Sequence, residues 1–355
     1  MLFFSLIRRF HMAPRSLLHA VVIMAVLSAT GSIPAVAADS PQQLKAACDK
    51  GNAAACDSLG WMYWKGDGVK QDIAHASDLF RKSCTTGDPH GCVNLGVMYA
   101  QGTGTGPDPV QAVALYRKAC DGREPQGCSY LGAMYMKGTG VLEDHAQAVT
   151  FYRRACDLGD INSCASLGWM YAEGIGVAQA PSQAEPFYRK ACEGGALETC
   201  SNLGTMYING TGVAQNPGQA AGFYRRACDG GELGSCGSLG LMYADGIGVA
   251  QDPSHALTLY RKACDGRNPQ GCLGLGAMYV KGIGIKRDLS HAAHMFRKAC
   301  DGGEALGCTS LGIAYQFGEG VKKDRAEALR YYGKACDLKN QMGCERLTLV
   351  KTGGR

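Results

Sequence analysis

The sequence predicts an all-α chain made of eight copies of one 36-residue helical hairpin. Three periodic features carry that expectation. The cysteines fall in nine couples: Cys48 and Cys56, Cys84 and Cys92, Cys120 and Cys128, Cys156 and Cys164, Cys192 and Cys200, Cys228 and Cys236, Cys264 and Cys272, Cys300 and Cys308, Cys336 and Cys344. They stand eight apart within a couple and 36 apart from one couple to the next. Between them a Leu-Gly-x-Met-Tyr segment returns from Leu59–Tyr63 to Leu275–Tyr279, with Ala314 replacing Met in the eighth copy. An Ala-x-x-x-Tyr/Phe segment follows each one, from Ala76 and Phe80 to Ala328 and Tyr332. A fixed period over most of a chain means like units stacked on one another.

The first 37 residues read as a cleavable signal peptide. Arg8, Arg9 and Arg15 form a basic start, Leu17 to Leu27 an apolar run, and Ala35-Val36-Ala37 the small-x-small form cut after Ala37. The run is too short to span a bilayer comfortably. No later segment is apolar enough to cross, so the mature chain is expected to have no membrane span. Residues 38–51 then form an N-terminal half-repeat. The eight repeats follow at 52–87, 88–123, 124–159, 160–195, 196–231, 232–267, 268–303 and 304–339, and a capping helix and tail at 340–355.

Within a repeat, Cys56, Leu59, Gly60 and Tyr63 are spaced i, i+3, i+4, i+7, one face of a first helix. Glycine inside a helix costs about 1 kcal/mol against alanine, so its return in each copy predicts a close approach by a neighbour. Gly-x-Gly, as at Gly66 and Gly68 or Gly318 and Gly320, ends that helix through a left-handed residue. Asp72, Asp108, Asp144, Asp252, Asp288 and Asp324 are expected N-caps of the second helix, with Pro109, Pro181, Pro217 and Pro253 at its first position. The second helix ends in two cations before its cysteine, as in Arg117 to Cys120. These read as solvated charges favouring a helix C-terminus. A turn such as Asp121-Gly122 closes the unit.

Two cysteine pairings fit stacked hairpins. Cys56 can reach back to Cys48 across the short turn, or across its own hairpin to Cys84. The second scheme strands Cys48 and Cys344, whereas the first strands none, so the eight-apart pairing is expected. Each such loop is worth roughly 2–3 kcal/mol. Zinc would need tighter clusters of Cys-x-x-Cys or added histidines, which the sequence lacks. No metal or cofactor is expected. His291 and His294, three apart with no third ligand, read as a solvated pair. Removing the three leader arginines from the formal +5 leaves +2, too balanced to call for nucleic acid.

Leu-Gly-x-x-Tyr followed by Ala-x-x-x-Tyr/Phe resembles the tetratricopeptide pattern, whose period is 34. The period of 36, the Gly-x-Gly and the Arg-Lys-Ala-Cys ending are similar to the Sel1-like repeat. The cysteine pairing resembles the Helicobacter cysteine-rich proteins, a secreted Sel1-like family. The resemblance covers residues 41–350. It implies a right-handed α-solenoid with the first helices lining a concave face, and half-repeats at Pro41 to Asp49 and Gln341 to Val350 as caps.

First-helix positions outside the core differ between copies and are expected to line that groove. Those equivalent to 58 are Ser58, Asn94, Tyr130, Ser166, Asn202, Ser238, Gly274 and Ser310. Those equivalent to 61 are Trp61, Val97, Ala133, Trp169, Thr205, Leu241, Ala277 and Ile313. Asn94 and Asn202 are candidates to pair with a peptide backbone, and Trp61, Trp169 and Tyr130 candidate anchors. The expected function is a periplasmic or secreted, monomeric scaffold that binds a peptide or protein. The family resemblance also implies an alternative, because some relatives are described as penicillin-binding or weak β-lactamases. Against it, no Ser-x-x-Lys occurs, and the one Lys-Thr-Gly, Lys351-Thr352-Gly353, lies in the last five residues. No catalytic residue is assigned.

Overall fold

A computed structural model describes residues 40–353. The expected leader, residues 1–37, lies outside them. Eighteen helices and no strand occur among the described residues. They divide into two compact units between Asp144 and His145. The first holds α1 (Pro41–Asp49), α2 (Ala53–Lys65), α3 (Ile73–Thr85), α4 (Pro89–Gln101), α5 (Pro109–Asp121) and α6 (Pro125–Lys137). The second holds α7 (His145–Asp157), α8 (Ile161–Glu173), α9 (Pro181–Glu193), α10 (Leu197–Asn209), α11 (Pro217–Asp229), α12 (Leu233–Asp245), α13 (Pro253–Asp265), α14 (Pro269–Lys281), α15 (Leu289–Asp301), α16 (Ala305–Phe317), α17 (Arg325–Asp337) and α18 (Gln341–Lys351).

Helix ends follow local chemistry. Asp72, Asp108, Asp252, Asp288 and Asp324 cap the second helices by accepting a backbone N–H, as Asp108 does from Gln111. Asn216 does the same for α11, and Ala180 leaves α9 without a side-chain cap. The first helices close at a left-handed glycine, with φ 75° at Gly66 and 79° at Gly318. The turn that closes a repeat takes its left-handed residue one position after the helix cap. Gly122 has an ordinary φ of −71°, and the left-handed residue is Arg123, one further on. Arg267 and Lys339 share that strained register, where other repeats place Gly159, Gly195 or Gly231.

In the hairpins that lie within one unit, the core is an alanine–aromatic pair on the second helix against Leu-Gly on the first. Leu203 and Ala220 are fully buried and Tyr224 nearly so. A methyl group at Gly204 would stand 2.7 Å from the Tyr224 ring, so the repeated glycine makes room for that ring. Gly60 admits Phe80, and Gly312 admits Tyr332, in the same way.

Successive hairpins are joined by three devices. The first is the disulfide, which ties the end of one second helix to the start of the next first helix. Cys48 is bonded to Cys56, Cys84 to Cys92, Cys120 to Cys128, Cys156 to Cys164 and Cys192 to Cys200. Cys228 is bonded to Cys236, Cys264 to Cys272, Cys300 to Cys308 and Cys336 to Cys344. All are the eight-apart partners, none joins cysteines 28 apart, and none of the eighteen is free. The Cα atoms of a pair stand 4.5–4.8 Å apart, within the reach of an S–S bond. Cys128, Cys164, Cys236, Cys272 and Cys308, each on a first helix, are at most 2% exposed, so the bridges lie inside the stack.

The second device is an arginine on the second helix, which donates to the motif tyrosine of the following first helix. Arg81 reaches Tyr99 at 3.3 Å, Arg117 reaches Tyr135 at 2.7 Å, Arg189 reaches Tyr207 at 3.0 Å, Arg225 reaches Tyr243 at 2.6 Å and Arg297 reaches Tyr315 at 2.6 Å. Arg153 bonds Tyr171 likewise. The third is the neighbouring cation, which reaches back to the end of the preceding second helix. Lys118 donates to the Cys84 carbonyl at 3.0 Å and Lys262 to that of Cys228 at 2.8 Å. The cation pair expected as a solvated helix end is therefore a joint. Charge-assisted bonds to hydroxyl and carbonyl groups on neighbouring helices hold it in place.

Candidate binding face

With Cys, Leu, Gly and Met turned inward, each first helix leaves a stripe at i, i+4, i+7 and i+11. In α10, Glu198 and Asn209 are exposed and Asn202 and Thr205 half-buried, while Cys200, Leu203, Gly204 and Met206 are buried. In α8 the stripe is Asn162, Ser166, Trp169 and Glu173, and in α12 it is Gly234, Ser238, Leu241 and Asp245. In α8 and α10 the positions equivalent to 58 and 61 thus lie between two more exposed positions, equivalent to 54 and 65.

The five candidate residues fall in two groups. Trp61, Asn94 and Tyr130 belong to the first unit, Trp169 and Asn202 to the second, and all five are half-buried. Asn94 is engaged, because its Nδ2 donates to Asp57 Oδ1 at 2.7 Å. Burial pushes the Asp57 carboxyl up to about 6, against the opposing effect of that bond, and Asp88 adds a like charge nearby. Asn202, also half-buried, makes no side-chain hydrogen bond among the described residues. Trp61 packs edge-on against Trp64 and Phe80, with Lys65 Nζ 5.5 Å from its ring centre. Tyr130 lies 5.0 Å from the Tyr116 ring and against the Cys84–Cys92 cluster, which makes it part of the packing between hairpins. Trp169 has no ring partner and no cation over it among the described residues.

Under the stripe lie the second-helix tyrosines. Tyr224 shares a hydrogen bond with Thr205 at 3.0 Å, and burial pushes its hydroxyl up to about 12. Tyr332 donates to Gln316 at 2.6 Å. Tyr188 and Tyr260 are each 5% exposed and have no such partner among the described residues. Burial raises both hydroxyls well above the usual tyrosine range, helped by Glu173 for Tyr188 and by Asp245 for Tyr260. Both acids end the exposed stripe, at the last residue of α8 and of α12. The column of positions equivalent to 65 is where they would have shown themselves in the sequence.

His291 stacks on Tyr279 and bonds Asp288 at 2.8 Å. No group of three or more potential metal ligands occurs among the described residues. Lys351 is the last residue of α18, and Thr352 donates to the carbonyls of Thr348 and Leu349. The Lys-Thr-Gly triplet is thus a helix end and not part of a strand. No helix among the described residues is long and apolar enough to cross a membrane.

The repeating unit of two capped helices with a Gly-x-Gly turn matches the Sel1 repeat model eight times, at residues 53–88, 89–123, 125–160, 161–195, 197–232, 235–268, 269–304 and 305–340. The chain belongs to the Sel1 repeat family. These Sel1 repeats superpose on a Sel1 repeat protein from Oxalobacter formigenes with a TM-score of 0.67 and 26% identity, over 88% of this chain and 94% of that one. A protective antigen of uropathogenic Escherichia coli with an SLR fold gives 0.62 and 24%, over 88% and 83%. The Helicobacter pylori cysteine-rich protein B is 28% identical over 37% of this chain and 98% of its own, with a TM-score of 0.30. No curated protein sequence matches.

Proposed function

We propose that this Sel1 repeat scaffold is exported and binds a peptide or protein segment along the stripe of its first helices. One observation carries the reading. In the second unit the residues beneath the stripe repeat almost unchanged from α8 to α16, whereas those on it change from helix to helix. Packing accounts for the constant positions. The stripe residues are exposed or half-buried, and their variety suits recognition of a partner with a sequence of its own. The leader that the sequence leads one to expect at residues 1–37, together with nine disulfides, suits an oxidising compartment outside the cytoplasm.

The test is site-directed photo-crosslinking in cells. A photoreactive side chain at Ser238, on the stripe of α12, is expected to give a defined adduct. The same group at Thr258, on the exposed side of α13, is expected to give none. Equal adducts from both positions, or none from Ser238, would remove the stripe as the binding face.

A further inference from the structure

The helices α8, α10 and α12 contain no lysine or arginine, and their stripes carry Glu173, Glu198 and Asp245. None of these acids makes a hydrogen bond or an ion pair among the described residues. Glu173 and Asp245 also sit at helix C-termini, where the helix dipole disfavours a negative charge. The equivalent residues of α2, α6 and α14 are Lys65, Lys137 and Lys281, which the dipole favours. A local rule broken without compensation inside the protein is a mark of function.

The chain contains its own template for what is missing. In the first repeat Lys65 stands four residues after Trp61 and rests over its ring. In the fourth repeat the tryptophan is kept as Trp169, but Glu173 replaces the lysine. The ring is left without its cation and a carboxylate stands beside it. Tyr188 is nearly fully buried with its ring against Gly168, the neighbour of Trp169; its hydroxyl makes no hydrogen bond among the described residues and feels the charge of Glu173. Two repeats on, Tyr260 against Gly240 and Asp245 repeat the tyrosine and the carboxylate, with Leu241 in place of the tryptophan. In the repeat between them the hydroxyl of Tyr224 is already taken by Thr205.

We propose that the stripe of the fourth to sixth repeats binds a basic peptide segment. One Lys or Arg side chain is held by Trp169, Glu173 and Tyr188, and another by Asp245 and Tyr260. An incoming ammonium or guanidinium finds the ring face that Lys65 covers in the first repeat, a carboxylate to pair with and a hydroxyl to accept its N–H. Asn202, on α10 between the two sites, has its amide free for the peptide backbone. The inference rests on the reading of the stripe as the binding face, and deepens it by naming the partner's chemistry.

The probe is a fluorescein-labelled peptide of five Gly-Ser-Lys triplets, compared with Gly-Ser-Asn and Gly-Ser-Glu versions. Anisotropy is measured with the oxidised protein lacking its leader. The lysine peptide is expected to bind at least tenfold more tightly than the asparagine peptide, and the glutamate peptide not at all. The double substitution Glu173→Gln, Asp245→Asn is expected to abolish that preference, and Trp169→Ala to weaken binding about fivefold. Glu319→Gln, in the loop after α16, is expected to change nothing. Melting curves of each variant show that the fold is kept. Equal binding of the lysine and asparagine peptides, or a preference that survives the double substitution, overturns the proposal. Should that happen while Ser238 still crosslinks a partner, the stripe stands as a binding face and only the basic specificity falls.

Discussion

Asp57 holds the sharpest local conflict between burial and charge. Its carboxyl is pushed up to about 6 from an ordinary value of 3.8, so between pH 4 and 6 the folded protein holds a proton that the unfolded chain releases. Stability is therefore full below pH 4, falls as pH rises toward 6 and stays lower above it. Asp57→Asn keeps an acceptor for Asn94 and removes the charge. The variant is expected to be more stable than the parent at pH 7, by about 1–3 kcal/mol, and to lose the slope between pH 4 and 6 in urea titrations. An unchanged slope would mean that Asp57 is solvated in solution. The same contact explains why Asn94 and Asn202 looked alike in the sequence and differ in the structure. Their register is identical, but only Asn94 follows a repeat with an aspartate 37 residues earlier, and a one-dimensional reading does not weigh that neighbour.

Helices and turns were legible almost throughout, because their signals are local. Asp N-caps, Pro at the first position and Gly-x-Gly ends each act within one turn of helix, and the 36-residue period repeats each signal often enough to read it. The arginine and lysine joints were not legible. Arg189 and Tyr207 are eighteen residues apart on different helices, and an arginine in a last helical turn has a sufficient reason to be there in the dipole alone. The acids at positions 173 and 245 become conspicuous only once the helix ends are located. One element departs from helix chemistry without a visible return. Pro186 lies inside α9, on its exposed side, where it removes the backbone bond to Ser182 and crowds that carbonyl. The equivalent residue of α5 is Ala114. Pro186→Ala is expected to raise the unfolding free energy by about 1–3 kcal/mol in urea denaturation. A loss of stability would instead assign the proline a packing role.

Within each unit, stability is distributed in short-range increments, since successive hairpins are tied by a disulfide, at most joints by an Arg–Tyr bond, and at several by a cation on a carbonyl. Each bridge closes a loop of about nine residues and constrains the unfolded chain by about 2–3 kcal/mol. Replacing both Cys192 and Cys200 by serine is expected to cost that much in chemical denaturation. Non-reducing peptide maps should still contain the other eight bridges. Fragments linking cysteines 28 apart would contradict the joint as described. Because an interior hairpin carries a tyrosine for the joint behind it and an arginine for the joint ahead, it is a complete module with matching ends. Duplicating one in the gene would lengthen the protein without inventing a new interface, and would add one more variable helix to the recognition surface. Such a chain can acquire specificity by copying first and diversifying afterwards.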